Sequence, residues 1–207
     1  MQTKRVSVAE VVAFVWRYWQ KVPLKFAAVV TGVALVISIE LYIPIASSNL
    51  VLAVQAFAEG RQSMEAAWRA LWVLVGVFAL MFTVSQCYLR VWMYLASEVM
   101  QKMVADGFRS LQRFSSDWHA NAFSGASVRM ITRGMWAYDD FADTAIIDLG
   151  PALLLLAGFT VSMYLREPLM GLYFGFAVSV FLAVSVAASL LYVAPANRTA
   201  NDADTTM

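Results

Sequence analysis

The chain has 207 residues, of which 61% are hydrophobic and 14% are charged, whereas soluble domains average about 45–50% apolar and about 25% charged residues. A globule of this length would expose a large apolar surface to water, so the composition excludes a soluble domain and indicates an integral membrane protein. The net charge of +1 gives no electrostatic basis for a nucleic-acid partner, and the single cysteine excludes an internal disulfide bond.

Residues 6–20 form the first predicted element, an amphipathic helix. At about 100° per residue, Glu10, Arg17 and Lys21 fall on one face. The opposite face is apolar and consists of Val8, Val11, Val12, Val15, Trp16 and Trp19. Tryptophans at such a boundary are typical of a helix parallel to the membrane surface, and Pro23 favours a break before the first span. The alternative is a plain continuation of that span.

Four charge-poor stretches are long enough to cross a membrane, because a spanning helix needs about 17–25 residues. With their extensions, the predicted spans occupy residues 23–57, 66–115, 127–165 and 168–194. Lysine and arginine set the orientation, and 12 of the 15 lie on the side that holds both termini and the segment 90–148. Both termini are therefore expected in the cytoplasm, and the chain is expected to be a multi-pass protein of an inner or plasma membrane.

The segment 90–148 predicts a helical hairpin outside the membrane. The pairs Glu98–Lys102 and Lys102–Asp106 are spaced i,i+4, which supports a helix. The apolar positions are Val99, Met103, Leu111 and Phe114 in the outgoing helix and Val128, Ile131, Met135 and Phe141 in the returning one. The two arms are about 28 and 33 Å long, which predicts an antiparallel pair with its tip about 30 Å from the bilayer.

The tip of this hairpin, residues 116–125, predicts a short helix that Gly125 can end. Trp118 and Phe123 would then be aromatic side chains far from the lipid. Exposed aromatic residues in such a place usually contact a protein partner. The alternative is that they close the hairpin's own small core.

Two sets of polar residues are candidates for binding. The first set lies within about 100° on the first span and can line a substrate path: Glu40, Ser47, Ser48 and Gln55. Hydrogen bonding between helices, or a position at the membrane interface, is the alternative for these residues. The second set is a run of carboxylates that could hold a divalent cation or form a solvated face: Asp139, Asp140, Asp143 and Asp148.

No catalytic residue is predicted, and the carboxylate run is favoured as a solvated face over a metal site. His119 is the only histidine, so the chain has no multi-histidine zinc site. None of the ten glycines precedes a lysine, so there is no GxxxxGK[ST] phosphate loop. The chain is therefore expected to be no enzyme on its own and to bind no cofactor.

Several segments follow one another in an order known from a transporter family. They are the elbow-like helix at 6–20, the run Leu111-Gln112-Arg113-Phe114, the tip from Trp118-His119 to Gly125, and the run Tyr192-Val193-Ala194-Pro195-Ala196-Asn197-Arg198. This order resembles the type-1 transmembrane domain of an ATP-binding-cassette (ABC) exporter.

The resemblance implies an all-α membrane protein with an elbow helix and four long transmembrane helices that extend into the cytoplasm. A short coupling helix at 116–125 would lie between the second and third, and residues 195–207 would start a second extension. The residues implied to contact an ATPase are Asp117, Trp118, His119, Asn121, Phe123 and Gly125. Many family members have an acidic residue where this chain has Gly134.

The function implied is that of the transmembrane module of an ATP-driven exporter. The partners implied are the lipid bilayer, a nucleotide-binding ATPase domain that binds ATP and Mg²⁺, and a second transmembrane domain in a homo- or heterodimer. The family's last two helices and its ATPase are missing, so a fragment of a longer exporter, or a domain completed by another chain, is expected. The alternative function is a non-transporting scaffold that anchors a cytoplasmic partner.

Overall fold

The computed structural model describes residues 7–113 and 124–193, with side chains in the second range from residue 128 onward. Within these ranges every element is helical and no strand occurs. Four helices are long and apolar enough to cross a membrane: Pro23–Ala58, Met64–Leu111, Val128–Arg166 and Pro168–Val193. The predicted all-α class is therefore confirmed over the described residues, as are four helices long and apolar enough to cross a membrane, and together with the composition they indicate a membrane protein.

The first helix, α1, covers Val8–Trp19 and starts at a capping box. The Oγ atom of Ser7 accepts a hydrogen bond from the Glu10 backbone N–H at 3.2 Å, and the Glu10 carboxylate accepts one from the Ser7 N–H at 2.8 Å. These two bonds satisfy backbone donors that a helix start leaves free. α1 ends before the next helix begins at Pro23, so it is not a continuation of the first span.

The two longest helices are α2, Pro23–Ala58, and α3, Met64–Leu111. Their 36 and 48 residues correspond to about 54 and about 72 Å. α2 starts with a proline at its first turn, where no N–H is needed, and continues through Pro44 without ending. The helices pack closely at Gly32, where a Cβ atom would overlap the side chain of Tyr88. Only glycine permits this approach.

The third span combines α4, Ser124–Asp143, a π-helical turn over Thr144–Leu149, and α5, Gly150–Arg166. In the π-helical turn the Gly150 N–H donates to the carbonyl of Ala145. Pro151 explains this wider turn, because a proline ring donates no hydrogen bond and clashes with the carbonyl four residues earlier in a regular α-helix.

Two further elements complete the chain: α6 over Pro168–Ala188 and a π-helical turn over Ser189–Val193. The chain divides into two compact units, the first of which ends at Ala152. Within the second unit the end of α5 contacts the start of α6, because a Cβ atom at Gly171 would overlap the backbone of Tyr164. The first unit contains α1 to α4 and holds most of the polar contacts described below.

Candidate functional site

The helix α1 packs against the rest of the first unit through one side, and most of its predicted membrane-facing apolar residues lie outside that contact. Its buried side chains are Val15, Tyr18 and Trp19, which are 3%, 8% and 9% exposed. The other members of the predicted apolar face are exposed: Val8, Val11, Val12 and Trp16. Tyr18 was not among the predicted apolar residues, and it is buried with a hydrogen-bonding partner on α3. α1 therefore has one apolar side packed in the chain and one uncovered.

Trp19 and Tyr138 connect α1 to α4. The Nε1 atom of Trp19 donates a hydrogen bond to the Tyr138 hydroxyl at 3.0 Å, and the bond is buried. Tyr138 is 4% exposed, and burial raises its pKa to about 12, so the hydroxyl stays protonated. Aromatic packing also holds the Trp19 side chain in this position, because the rings of Trp19 and Phe26 stack with centroids 4.9 Å apart. The Trp19 N–H thus has the Tyr138 hydroxyl as its hydrogen-bond acceptor, and this hydroxyl has Trp19 as its donor.

Asp106 connects α1 to α3. Its carboxylate accepts hydrogen bonds from the Tyr18 hydroxyl at 3.2 Å, from Lys21 Nζ at 3.3 Å and from Arg109 Nη1 at 2.9 Å. The hydrogen bond from Lys21 is the main cause that lowers the pKa of Asp106. Burial, and then the charge of Asp106, raise the pKa of Tyr18. The helix that the i,i+4 spacing of Lys102 and Asp106 supported is present, but Asp106 pairs with Lys21, which follows α1, and with Arg109 instead of with Lys102. We call Tyr18, Trp19, Lys21, Asp106 and Tyr138 the α1 junction.

Glu98 forms a second ionic cluster beside the junction. Its carboxylate binds Lys102 Nζ at 2.8 Å, which confirms the predicted i,i+4 pair, and also binds Lys25 at the start of α2. These hydrogen bonds lower the pKa of Glu98 to about 2, with that from Lys102 as the largest cause. Glu98 lies nine positions beyond the charge-free stretch that ends at Leu89, so the cluster stands outside the apolar part of α3.

The extended parts of α3 and α4 form an antiparallel pair. Val99 is completely buried on α3, and Gly107 lets α4 approach, because a Cβ atom there would lie 3.2 Å from Ile131. On α4 the buried residues include Tyr138 and Ala142, whereas Val128 is 43% exposed. The predicted hairpin is thus present over the described residues, but its packing face includes a tyrosine and an alanine that the apolar pattern missed.

Trp92 and Asp143 close the other end of this pair. The Nε1 atom of Trp92 donates to the Asp143 carboxylate at 2.6 Å, and Trp92 is 3% exposed. Asp139 is half-buried, and burial raises its pKa, followed by the charges of Asp143 and Asp140. Across the described ranges, no group of three metal-ligating side chains could hold an ion. Of the carboxylates on α4, Asp143 thus joins α4 to α3 through its hydrogen bond with Trp92. The spacing of the aspartates in the sequence did not reveal this contact.

The residues predicted for a substrate path all lie on α2. Glu40 and Ser47 are half-buried, whereas Ser48 and Gln55 are exposed. From Glu40 to Gln55 the stripe is about 22 Å long. The structure therefore places these residues along one helix without bringing them to a common centre.

The predicted coupling residues lie mostly outside the described part of the chain. These are Asp117, Trp118, His119, Asn121 and Phe123. Gly125 lies in the first turn of α4, which begins at Ser124, three residues before the predicted start of the returning helix.

Comparisons with protein-family models, with curated proteins and with solved structures gave no match. The residues that the structure describes are helical and include four helices long and apolar enough to cross a membrane, the second and third of which pack against each other through their polar extensions.

Proposed function

We propose that the chain is the transmembrane module of an ATP-driven exporter of the ABC type. In this role it forms part of the substrate path and transmits the motion of an ATPase through residues 116–125. The proposal also places both termini and the α3–α4 hairpin in the cytoplasm, in agreement with the distribution of lysine and arginine.

The observation that carries the proposal is the length of α3. It is one helix of 48 residues, about 72 Å, whereas the hydrocarbon core of a bilayer is about 30 Å thick. The charge-free residues 70–89 are enough to cross that core. Residues 90–111 then extend about 33 Å beyond it as the same helix. A continuous helix transmits a displacement at its far end to the apolar segment, which is what coupling to an ATPase requires.

The contacts between α3 and α4 support the same mechanism. The part-buried Trp92–Asp143 hydrogen bond holds one end of the extended pair, and the close packing at Gly107 holds the pair about 22 Å further along. The two helices are thereby held as one lever, because sliding would break the hydrogen bond of the buried Trp92 side chain and the close packing at Gly107. The α1 junction attaches the N-terminal helix to this lever.

The test uses the complete transporter reconstituted in proteoliposomes, with Trp118→Ala as the variant. We expect ATP hydrolysis to continue while transport falls about tenfold or more, because truncation of an aromatic hot spot at an interface typically costs about 2 kcal/mol or more. Trp72→Ala, an exposed tryptophan in the apolar part of α3, is the matched control. Unchanged transport with unchanged substrate-stimulated hydrolysis would contradict the proposal and favour the scaffold.

The substrate path is tested separately by Glu40→Gln in the same preparation. We expect an altered substrate profile or affinity, because the substitution removes a charge at membrane depth. The Ser47→Ala variant tests the neighbouring half-buried position. An identical profile for both variants would contradict the path on α2 and leave the coupling mechanism in place.

A further inference from the structure

The depth of Glu40 in the membrane follows from the way in which α2 and the antiparallel α3 face each other. Gly32 packs against Tyr88, and Lys25 binds Glu98. Glu40 lies 8 residues beyond the first of these contacts along α2 and 15 residues beyond the second. The two contacts agree to within three residues on the part of α3 that Glu40 faces.

The part of α3 opposite Glu40 lies near the middle of its charge-free stretch. Counting back along α3 from the two contacts, by the same numbers of residues, leads to positions 80–83. The charge-free residues 70–89 are about 30 Å long, which is the thickness of the hydrocarbon core of a bilayer. Glu40 therefore lies about 9–14 Å inside that core and not at the membrane interface.

No cation of this chain is placed to neutralise Glu40. On α2 the nearest is Lys25, about 22 Å away along the helix, and it binds Glu98 instead. On α3 the nearest is Arg90, which is about 10–15 Å from the level of Glu40 along the helix and is exposed. Among the residues that the structure describes, Glu40 makes no ion pair and no hydrogen bond. Tyr88 is close enough to feel the charge of Glu40 but carries no balancing charge of its own.

The remaining spans and a second copy of the chain supply no cation at this depth either. Residues 149–165 and 168–197 are free of charged side chains, and a second copy has the same sequence. A protonated Glu40 would keep an O–H donor in hydrocarbon without an acceptor in the described part of the chain, which is costly. Carboxylates at membrane depth usually face a partner or a substrate path. The positive charge that balances Glu40 therefore comes from a bound molecule.

The surroundings of Glu40 favour an organic cation over a metal ion. The nearby hydroxyls of Ser38 and Thr83 already donate to backbone carbonyls of their own helices, at 2.7 and 2.8 Å. The residues beside Glu40 in the chain are Ile39 and Leu41, which offer no polar side chain. Hard metal ions such as Mg²⁺ and Ca²⁺ take about six or more oxygen ligands. An organic cation needs only one counter-charge and apolar side chains around its body.

We infer that Glu40 recognises the charge of the substrate, and that this substrate is a lipophilic organic cation. Its positive group lies against the Glu40 carboxylate, and its apolar body lies against the apolar side chains of α2 and α3. Because such a molecule dissolves in the bilayer, lipid gives it access to this depth. That the cation is exported rests on the proposed function. That it binds rests on the depth of Glu40 and on the absence of a cation at that level.

The test is a binding measurement on the full-length protein in lipid nanodiscs, with empty nanodiscs to subtract partition into lipid. The probes are tetraphenylphosphonium and tetraphenylborate, which have the same shape and opposite charges. We expect saturable binding of tetraphenylphosphonium. Glu40→Gln should raise its Kd about tenfold or more, which corresponds to about 1.4 kcal/mol, because the variant loses an ion pair in a medium of low dielectric constant. Glu40→Gln should not weaken any binding of tetraphenylborate.

Two further variants control for charge and position. Glu40→Asp keeps the carboxylate and should bind tetraphenylphosphonium more tightly than Glu40→Gln does. Glu65→Gln removes an exposed glutamate near the start of α3 and should leave the Kd unchanged. No saturable binding of tetraphenylphosphonium would overturn the inference. Equal Kd values for Glu40→Gln and the unchanged protein would also overturn it, because Glu40 would then be balanced by a proton or by another protein.

The binding measurement needs no ATP, so it separates this inference from the proposed function. Binding that depends on Glu40, without any ATP-driven transport in proteoliposomes, would leave the cation site in place and contradict the exporter. ATP-driven transport together with cation binding that is indifferent to Glu40→Gln would contradict the cation site and leave the exporter in place.

Discussion

The hydrogen bond between Trp19 and Tyr138 shows how much one buried polar pair contributes to this chain. Both groups are removed from water, so each would stay unsatisfied without the other. The pair also joins α1 to α4 across 119 positions of sequence. The hydrogen bond therefore favours one arrangement of α1 on α4, because any other arrangement would leave a buried polar group unpaired. This effect is separate from any net gain in stability.

Replacing Tyr138 by Phe should lower the free energy of unfolding by about 1–3 kcal/mol, because it leaves the Trp19 N–H buried without an acceptor. Trp19→Phe should also destabilise the protein. The double variant should cost clearly less than the sum of the two, because it leaves no unpaired group. Denaturant titration of the protein in detergent micelles measures all three. Additive effects would show that the bond contributes nothing to stability.

Glu98 predicts a dependence of stability on pH. Its pKa in the folded state is about 2, below the ordinary value of 4.5, so its ion pairs stabilise the fold above pH 4.5. That contribution should be lost as the pH falls from 4.5 towards 2, because the unfolded chain binds the proton first. The lowered pKa of Asp106 acts in the same direction.

The measurement is the unfolding midpoint of the purified protein as the pH is lowered through this range. Glu98→Gln should reduce the loss of stability on acidification, because the titrating group is gone. Glu65→Gln, an exposed glutamate near the start of the same helix, is the control and should leave the profile unchanged. If Glu98→Gln and the unchanged protein show the same profile, the Lys25 and Lys102 ion pairs do not stabilise the fold.

Among the helices, the α3–α4 pair depends on one glycine for its close approach. Gly107 faces Ile131, whereas Gly134 on α4 has open space where a Cβ atom would be. A larger residue should therefore disturb the helix packing at Gly107 and should be tolerated at Gly134. Inside a helix, glycine lowers the stability by about 0.5–1 kcal/mol relative to alanine. Replacement of either glycine by alanine should therefore stabilise the helix unless the added Cβ atom meets a neighbouring side chain.

Gly107→Val should destabilise the protein by about 1–3 kcal/mol, because it overpacks the contact with Ile131. Adding Ile131→Ala should recover part of that loss by making room. Gly134→Ala should instead raise the free energy of unfolding by up to about 1 kcal/mol. These values can be measured by denaturant titration in micelles. A neutral Gly107→Val would show that the two helices are further apart than described here.

For the whole molecule, the extended parts of α3 and α4 are expected to lie on the same side of the membrane as the termini. The turn between α2 and α3 is expected on the opposite side, because the helices between them are long enough to cross. This topology follows from four crossings and from the distribution of lysine and arginine.

A cysteine introduced at Ser110 should react with a membrane-impermeant maleimide only in inside-out vesicles, in a chain that also carries Cys87→Ser. A cysteine at Gln62, in the turn between α2 and α3, should react only in intact cells. Both positions are exposed and solvent can reach them. Labelling of Ser110→Cys from outside the cell would reverse the orientation, and labelling of neither position would contradict the extension of α3 beyond the membrane.

The sequence by itself determined the class of protein and its helices. Long apolar stretches in lipid have to satisfy their backbone groups internally, so four helical spans follow from composition and length alone. Prolines at positions 23 and 168 mark where α2 and α6 begin, and the i,i+4 spacing of Glu98 and Lys102 gives a true ion pair. These features depend on neighbours within one or two turns of the chain.

Only the tertiary structure decided how the helices are joined. Asp106 pairs with Lys21 rather than with Lys102, Trp92 binds Asp143, and Tyr138 rather than Val128 is buried. Each of these contacts joins residues on different helices, so no periodicity within one helix could reveal them. The physical reason is that a polar side chain is buried only where a partner on another element satisfies it, and that partner is fixed by packing in three dimensions.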